Sequence, residues 1–357
     1  MAPEVTFVEY MQANGHQELA VWTDPAVGLK AFIAIHDTTL GPALGGTRIW
    51  AHETDDAAIM DALRLSKAMT YKAAAAGLPL GGGKGVVVAD PRTDKTEAMF
   101  RSYGRFVESL GGRYVTTEDV GATAQEMEWI SYETDHVVGL SEALGGSGNP
   151  AVVTGFGVYQ AMRACIAHVH GKDSLKGKTV AMQGFGNVAG SLAGHLLDAG
   201  AKLVVTDIND AARKRAEAIK GVRTVDPDAI YDVECDIFAP CALGAVLNEQ
   251  TIPRLKTPIV CGAANNQLAT DKDDNRLKAR GVLYAPDYIV NAGGVINVYY
   301  ELDRAYNREA ATAKASQIYD TVTRVIAISQ EQGITTAEAA DSIAEARIAA
   351  VKAARTV

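Results

Sequence analysis

Two lysines and one aspartate occupy sequence surroundings that could support proton chemistry. Lys72 lies in AMTYKAAAAG, among residues small and apolar enough for a core-facing stretch, where an unpaired lysine is rare. Lys84 follows three consecutive glycines in PLGGGKG, which reads as a loop bringing backbone and ammonium close to whatever fills a cleft. Asp119 stands at the tip of the strand-like run in TTEDVG. Singly, each is at least as readily an ordinary lysine or a turn aspartate. Together they form a candidate base: two cations near one another in an apolar cleft lower a lysine pKa, and a fall of about 3 units from about 10.4 reaches neutral pH.

A second signal is GFGNVAG, comprising Gly184, Phe185, Gly186, Asn187, Val188, Ala189 and Gly190. It fits GxGxxA, and it follows the apolar run TVAM and opens the helical pattern NVAGSLAGHLLDAG, the context a dinucleotide site requires. Gly184 permits a tight turn, Gly186 lets backbone N–H groups approach a pyrophosphate, and small Ala189 allows close helix packing. Asp207 closes the next strand, KLVVTD, 21 residues after Gly186, where a carboxylate accepts from ribose hydroxyls and repels a 2′-phosphate. NAD rather than NADP is therefore expected. Arg213, Lys214 and Arg215 weaken that reading a little, although on a helix they make a solvated face. The competing structural reading is a glycine turn in an unrelated α/β domain.

The elements that must hold these groups follow from periodicity. ELAVWTD and GLKAFIAIHD are strand-like, and a helical pattern runs from Asp55 to Ala76 with Ile59, Leu63 and Met69 at helical spacing. GLPLGGGKG reads as a glycine-rich turn feeding the β-branched run VVVAD; a helix from about Lys95 to Leu110 and the strand YVTTED follow. LGGSGNP, residues 144–150, has the composition of a hinge. Beyond it a helix from about Val153 to His170 precedes TVAMQGF, a helix from Asn187, KLVVTD, a helix from Asp210, CDIFAP and PIVCGA. This alternation predicts an α/β protein with a doubly wound parallel sheet. The expected organisation is a first α/β domain over 1–150 for substrate and oligomerisation, a Rossmann domain over 151–334, and a C-terminal helix, 335–357, packing back on the first.

Subtracting 43 Asp+Glu from 34 Lys+Arg leaves a net charge of −9, which repels a polyphosphate strand, so no nucleic-acid partner is expected. The N-terminal run lacks a basic region followed by an apolar stretch, and no apolar run approaches the roughly 18 residues of a membrane span, so the expected location is cytoplasmic. Cys165, Cys235, Cys241 and Cys261 show no CxxC, and His168 and His170 at i,i+2 point apart on a helix; buried thiols and no metal are expected.

IHDTTLGPALGGTRIW, the Lys72 segment, PLGGGKG, TTEDVG, SGNP, VECDIFAPCALG and YAPDYIVNAGGVINV resemble the amino-acid dehydrogenase family that includes enzymes for glutamate, leucine, phenylalanine and valine. The resemblance covers nearly the whole chain, weakest over the first 25 residues and the C-terminal helices, and is strongest to leucine dehydrogenases. It implies reversible oxidative deamination of an L-amino acid with NAD, in a cleft that closes around the hinge, by a homo-oligomer between dimer and octamer. Lys72 matches the family lysine that holds the substrate carboxylate, Lys84 the catalytic lysine that activates water, and Asp119 the carboxylate that exchanges protons with the amino group. Gly46 matches a backbone contact to substrate, Asn266 a residue near the amino group, and Thr154 and Asn291 positions beside the nicotinamide. Val295 and Val298 match pocket walls.

Glutamate dehydrogenases carry a lysine where this chain has Leu44, so by resemblance a branched-chain side chain fits and a glutamate carboxylate would be buried unpaired. Thr117 stands where leucine dehydrogenases typically have alanine, which leaves a phenylalanine preference open. Two other readings are an NAD-sensing protein without catalysis and a 2-hydroxy acid dehydrogenase using His36 and Arg48, although His36 reads more simply as a strand-end residue.

Overall fold

The computed structural model describes residues 6–302 and 306–355, and its contacts divide the chain between Asn149 and Pro150. The first unit, Met1–Asn149, is rejoined by Val298–Asn307 and Ala344–Val357; the second is Pro150–Asn297 with Arg308–Ile343. The stretch Val298–Asn307, expected in the second domain, thus returns to the first. Its physical anchor is Glu301, 3% exposed, which accepts hydrogen bonds from the Gly139 N–H at 2.7 Å, the Leu140 N–H at 3.3 Å and the Ser147 hydroxyl.

The first unit contains α1 (Phe7–Asn14), β1 (Glu18–Asp24), β2 (Leu29–Asp37), β3 (Ala43–Ile49), α2 (Asp55–Ala75), β4 (Gly81–Val87), α3 (Glu97–Ser109), β5 (Tyr114–Glu118) and α4 (Ala124–Ser131). The sheet order is β1-β2-β4-β3-β5. β2 runs antiparallel to both β1 and β4, while β3 is parallel to β4 and β5, so the last three strands end at one edge. Helix α2 starts at Thr54, whose side chain accepts from the Ala57 N–H, and Asp55 and Asp56 in its first turn favour the helix dipole. Its buried Ala58, Ile59, Ala62 and Leu63 pack on Phe32, Ala34 and Val86 of one sheet face. The opposite face buries Ile33, Ala43, Val87 and Tyr114 against Phe100, Tyr103 and Phe106 of α3 and Met127 and Ile130 of α4. Each large apolar side chain so buried contributes roughly 1.5–3 kcal/mol.

One expectation is corrected here. PLGGGKG is not a turn: Gly81 to Gly85 form most of β4, with Lys84 in mid-strand. The glycines serve close approach. A Cβ at Gly82 would lie 2.1 Å from the Thr70 backbone nitrogen of α2, and one at Gly83 2.6 Å from the Tyr114 ring.

The second unit begins with α5 (Ala151–His170), β6 (Thr179–Gln183), α6 (Asn187–Asp198), β7 (Lys202–Thr206), α7 (Asp210–Glu217), β8 (Val222–Thr224), β9 (Ile237–Pro240) and β10 (Ile259–Val260). Then come α8 (Lys272–Ala279), β11 (Leu283–Tyr284), α9 (Asp287–Val290), α10 (Gly293–Tyr299), α11 (Arg308–Ser316), α12 (Ile318–Gln332) and α13 (Thr336–Ala354), of which α10 from Val298 and α13 from Ala344 belong to the first unit. The parallel sheet has the order β11-β10-β9-β6-β7-β8, the doubly wound architecture expected from the alternation. In the first unit, Arg347 donates to the Ala73 and Ala74 carbonyls at 3.4 and 2.9 Å, supplying a cation at the C-terminal end of α2. Among the described residues no helix is long and apolar enough to cross a membrane.

Candidate active site

Lys84 and Asp119 meet in the first unit. Lys84 is 4% exposed and its Nζ lies 2.9 Å from Asp119 Oδ2, at the first residue beyond β5. The same oxygen accepts from Arg48 Nε at 3.0 Å. Arg48 Nη1 reaches both oxygens of Asp61 on α2, at 2.9 and 3.2 Å, and His52 Nε2 stands 3.6 Å from Asp61 Oδ2. Charges therefore alternate along Lys84, Asp119, Arg48 and Asp61.

Burial lowers the Lys84 pKa; Asp119 opposes that, and Arg48 adds to the lowering. For Asp119 burial acts upward, but Lys84 and then Arg48 outweigh it, so the carboxyl stays below its ordinary value. Burial likewise acts against the Arg48 cation and is outweighed by Asp119 and Asp61. Arg48 and Asp61 were not assigned to this site from the sequence. They lie 13 residues apart on different elements, and no spacing rule couples them.

The sheet beneath is rigid and crowded. A Cβ at Gly46 would lie 2.7 Å from the Asp119 Cβ, so this glycine lets β3 pass directly beside the carboxylate. Thr47 Oγ1 donates to Tyr103 OH at 2.8 Å and lies 2.6 Å from Thr116 Oγ1, while Tyr114 OH donates to the Gly45 carbonyl at 2.6 Å. Burial pushes the Tyr114 phenol up to about 12, so it stays a neutral donor.

The other expected substrate residues divide between the units. Leu44, 1% exposed, is paired with Gly82 and Val115 in the first. Thr117, 9% exposed, is paired with Gly46, and Gly139 packs so close that a Cβ there would lie 2.6 Å from Thr117 Oγ1. Lys72 is half-buried near the end of α2. Val298 is buried in the first unit and Val295 in the second. Asn266, also in the second, is exposed and takes a left-handed φ of 50°, a conformation Asn tolerates.

In the second unit the glycine turn has the anticipated form. Gly184 has a φ of 100°, Gly186 precedes α6, and Ala189 is buried against its neighbours. A Cβ at Gly186 or Gly190 would meet nothing within 4 Å, so the helix N-terminus has open space for an anion. Phe185 is buried, and Asn187 and Val188 form the first turn of α6. Asp207 Oδ2 accepts from the Phe185 N–H at 2.7 Å and Oδ1 from the Asn209 N–H at 2.8 Å, each oxygen keeping capacity for a hydroxyl. Arg213 is engaged with Asp210 at 2.5 Å. Thr154 donates to the Pro150 carbonyl at 2.8 Å. Asn291 Nδ2 donates to Asn265 Oδ1 at 2.8 Å, while Asn291 Oδ1 is buried with no hydrogen-bond partner among the described residues. Open glycines, a ribose acceptor and an orphaned amide oxygen together fit a dinucleotide.

His36, the base a 2-hydroxy acid dehydrogenase would need, is buried. Its Nδ1 is 2.8 Å from Thr70 Oγ1 and its Nε2 2.9 Å from the Asn14 carbonyl, and burial pulls its pKa down to about 4. Both ring nitrogens are occupied structurally. All four cysteines are free thiols, and among the described residues no three His, Cys, Asp or Glu converge as a metal site.

Residues 17–136 match the family model described as Glu/Leu/Phe/Val dehydrogenase, dimerisation domain, and residues 145–212 and 205–356 match Glutamate/Leucine/Phenylalanine/Valine dehydrogenase. The leucine dehydrogenase of Bacillus cereus is 54% identical over 98% of this chain and 95% of its own. The valine dehydrogenase of Streptomyces coelicolor is 49% identical over 94% and 93%. The crystal structure of L-tryptophan dehydrogenase from Nostoc punctiforme superposes with a TM-score of 0.86 at 43% identity, covering 97% of this chain and 100% of that one. With both halves matched and such relatives along its length, the chain belongs to the Glu/Leu/Phe/Val dehydrogenase family and is an amino-acid dehydrogenase.

Proposed function

We propose that the protein catalyses reversible oxidative deamination of a branched-chain L-amino acid: amino acid, NAD+ and water give the 2-oxo acid, ammonium, NADH and a proton. The observation that carries this reading is the buried Lys84–Asp119 pair at 2.9 Å. The N-terminus of α6 and Asp207 would hold NAD+, which would supply the acceptor for the hydride from the substrate Cα. Asp119, held ionised by Lys84 and Arg48, takes a proton from the substrate ammonium and makes the amine able to form a C=N bond. Lys84, whose burial favours the neutral amine, then takes a proton from the water that attacks that carbon. Asp119 returns its proton to the carbinolamine nitrogen; the C–N bond breaks as the hydroxyl loses its proton to give the 2-oxo acid, that proton leaves with ammonia as ammonium, and Lys84 releases the proton it took to solvent. Lys72 holds the substrate carboxylate.

Leu44 supports the substrate class. Fully buried between Gly82 and Val115, it presents no cation, so a glutamate side chain would lose its hydration without a counter-ion. Valine is one methylene smaller than leucine or isoleucine, a difference worth only about 1–3 kcal/mol, and leucine and isoleucine differ only in where they branch, so all three are expected as substrates. An aromatic substrate is the second reading, supported by the likeness to L-tryptophan dehydrogenase; it requires a pocket wider than Thr117 in place of alanine suggests.

NADH formation with leucine, valine, isoleucine, phenylalanine, tryptophan, glutamate and 2-hydroxy acids tests both readings. A branched-chain preference is expected, and activity on hydroxy acids alone would sink the proposal. The match to a dimerisation-domain model supports self-association, for which sedimentation is the direct measurement.

A further inference from the structure

We propose that Arg48 is a positioning residue that fixes the Lys84–Asp119 pair, and that Asp61 on α2 holds Arg48 in place and balances its charge. The inference rests on the deamination reading of that pair and adds two residues to it. Its basis is the use of oxygens. Lys84 Nζ and Arg48 Nε both bind Asp119 Oδ2, at 2.9 and 3.0 Å, and neither contact uses Oδ1. The carboxylate is thereby turned with one oxygen committed to the protein and the other available to the substrate amine. Two donors on one oxygen also fix the plane of the carboxylate, as a single ion pair would not.

Arg48 can do this because its guanidinium is a planar fork. While Nε holds Asp119, Nη1 spans the two oxygens of Asp61 at 2.9 and 3.2 Å. A lysine ammonium at this position is a point charge on a flexible stem and reaches one carboxylate at a time. The four groups sum to zero charge. Removing Arg48 leaves one excess negative charge beside the Lys84 amine, and removing Asp61 leaves one excess positive charge. These two changes act on the Lys84 proton in opposite directions.

Among the described residues Arg48 from β3 touches the pair, Asp61 from α2 acts on Lys84 from behind Arg48, His52 just beyond β3 stands beside Asp61, and Tyr114 from β5, whose phenol is neutral, feels the Asp119 charge. Lys72 lies further along α2. The outer end of the chain of charges opens on a cavity of about 520 Å³ lined by Arg48, Trp50, His52, Met60, Asp61 and Arg64. An altered side chain at Asp61 therefore meets solvent, whereas the Lys84 end remains buried.

The test is kcat/KM against pH for oxidation of the best amino acid of the panel by the intact enzyme, in wild type, D61N, R48Q and R48K, with K84A as reference. The wild-type acid limb follows loss of the Lys84 proton. D61N is expected to move its midpoint down by about half a unit or more, and R48Q to move it up by a similar amount. R48K keeps the charge, so its midpoint should stay within about 0.3 unit while kcat falls about tenfold from lost geometry. Thermal unfolding and NADH fluorescence titration identify the variants that are folded. Shifts of D61N and R48Q in the same direction, or no shift in either, would overturn the proposal, because a merely structural role predicts no opposed displacement. Should R48Q fail to fold, D61N decides by its downward shift or its lack of one. Turnover retained in K84A would instead remove the deamination reading beneath it.

Discussion

Glycine does opposite jobs beside Lys84 in the first unit and along the start of α6 in the second. Around Lys84 the glycines are crowded: a Cβ at Gly45 would lie 1.7 Å from the Gly83 carbonyl oxygen, and one at Gly85 2.0 Å from the Tyr103 hydroxyl. Along the start of α6 they are open, with nothing within 4 Å of a Cβ at Gly186 at the N-cap or at Gly190 and Gly194 within the helix, although Gly184 in the turn itself is crowded, 2.6 Å from the Ala242 Cβ. In the first unit the missing side chain is space already filled by protein, and it brings strands, helix and carboxylate into contact. Along the start of α6 it is open surface. One residue type thus marks packing in one region and open surface in the other, and only the neighbours tell them apart.

The largest effect should come from filling a crowded position. Gly45→Ala places a methyl against backbone that has no rotamer to yield, and the loss should exceed about 4 kcal/mol, or roughly 10 °C in melting temperature. Thermal denaturation of the purified variant checks this, and a melting point unchanged from wild type would mean that the strands can separate freely at this point.

Next in size is the chemistry that this crowding positions. Lys84→Ala should lower kcat by about a thousandfold or more, the range of a lost general base, while NADH affinity stays within about twofold. Steady-state rates and NADH fluorescence measured on the same preparation separate the two quantities. Retention of more than about a tenth of kcat would leave less than about 1.4 kcal/mol for the lysine and remove it from the mechanism.

The contrast also explains what could be read from the sequence. Gly184, Gly186, Ala189 and Asp207 form a local pattern: strand, turn, helix and strand follow in sequence, so spacing alone locates the glycine turn and its conformation. Lys84 was legible as chemistry because it follows a run of glycines, and Asp119 because it stands at the tip of a strand-like run. The strand that carries Lys84 was not, since three glycines in a row suggest a turn until the backbone of Thr70 and the ring of Tyr114 are seen against them. Asp61 leaves still less trace: it sits on a helix between the buried Ala58 and Ala62, and only the fold brings Arg48 to it. β8 and β11, of three and two residues, are too short for periodicity to register.

Filling an open glycine should cost binding and not stability. Gly186 has φ −85° and ψ −164°, which alanine adopts without strain, so Gly186→Ala should melt within about 2 °C of wild type or slightly above it. NADH affinity should nevertheless fall about tenfold, because the methyl stands where backbone N–H groups would meet the pyrophosphate. Isothermal titration with NADH beside a melting curve measures both. A fall in stability with affinity intact would place Gly186 in the same class as Gly45.

The smallest expected effect concerns Asp207, where the open region chooses its ligand. If the carboxylate accepts from the ribose hydroxyls, wild type should use NAD+ at least about tenfold more efficiently than NADP+, about 1.4 kcal/mol, since a 2′-phosphate would face a negative charge. Asp207→Ala should bring the two cofactors closer chiefly by weakening NAD+. It should also lower NAD+ affinity by loosening the turn, because Asp207 accepts from the Phe185 and Asn209 N–H groups and its loss leaves both without that partner. Arg213, already engaged with Asp210, would then become the nearest source of attraction for a phosphate, so the double variant Asp207→Ala with Asp210→Ala should favour NADP+ further. Specificity constants for both cofactors in the three proteins give the answer. Equal constants in wild type would show that Asp207 holds the turn without selecting the cofactor.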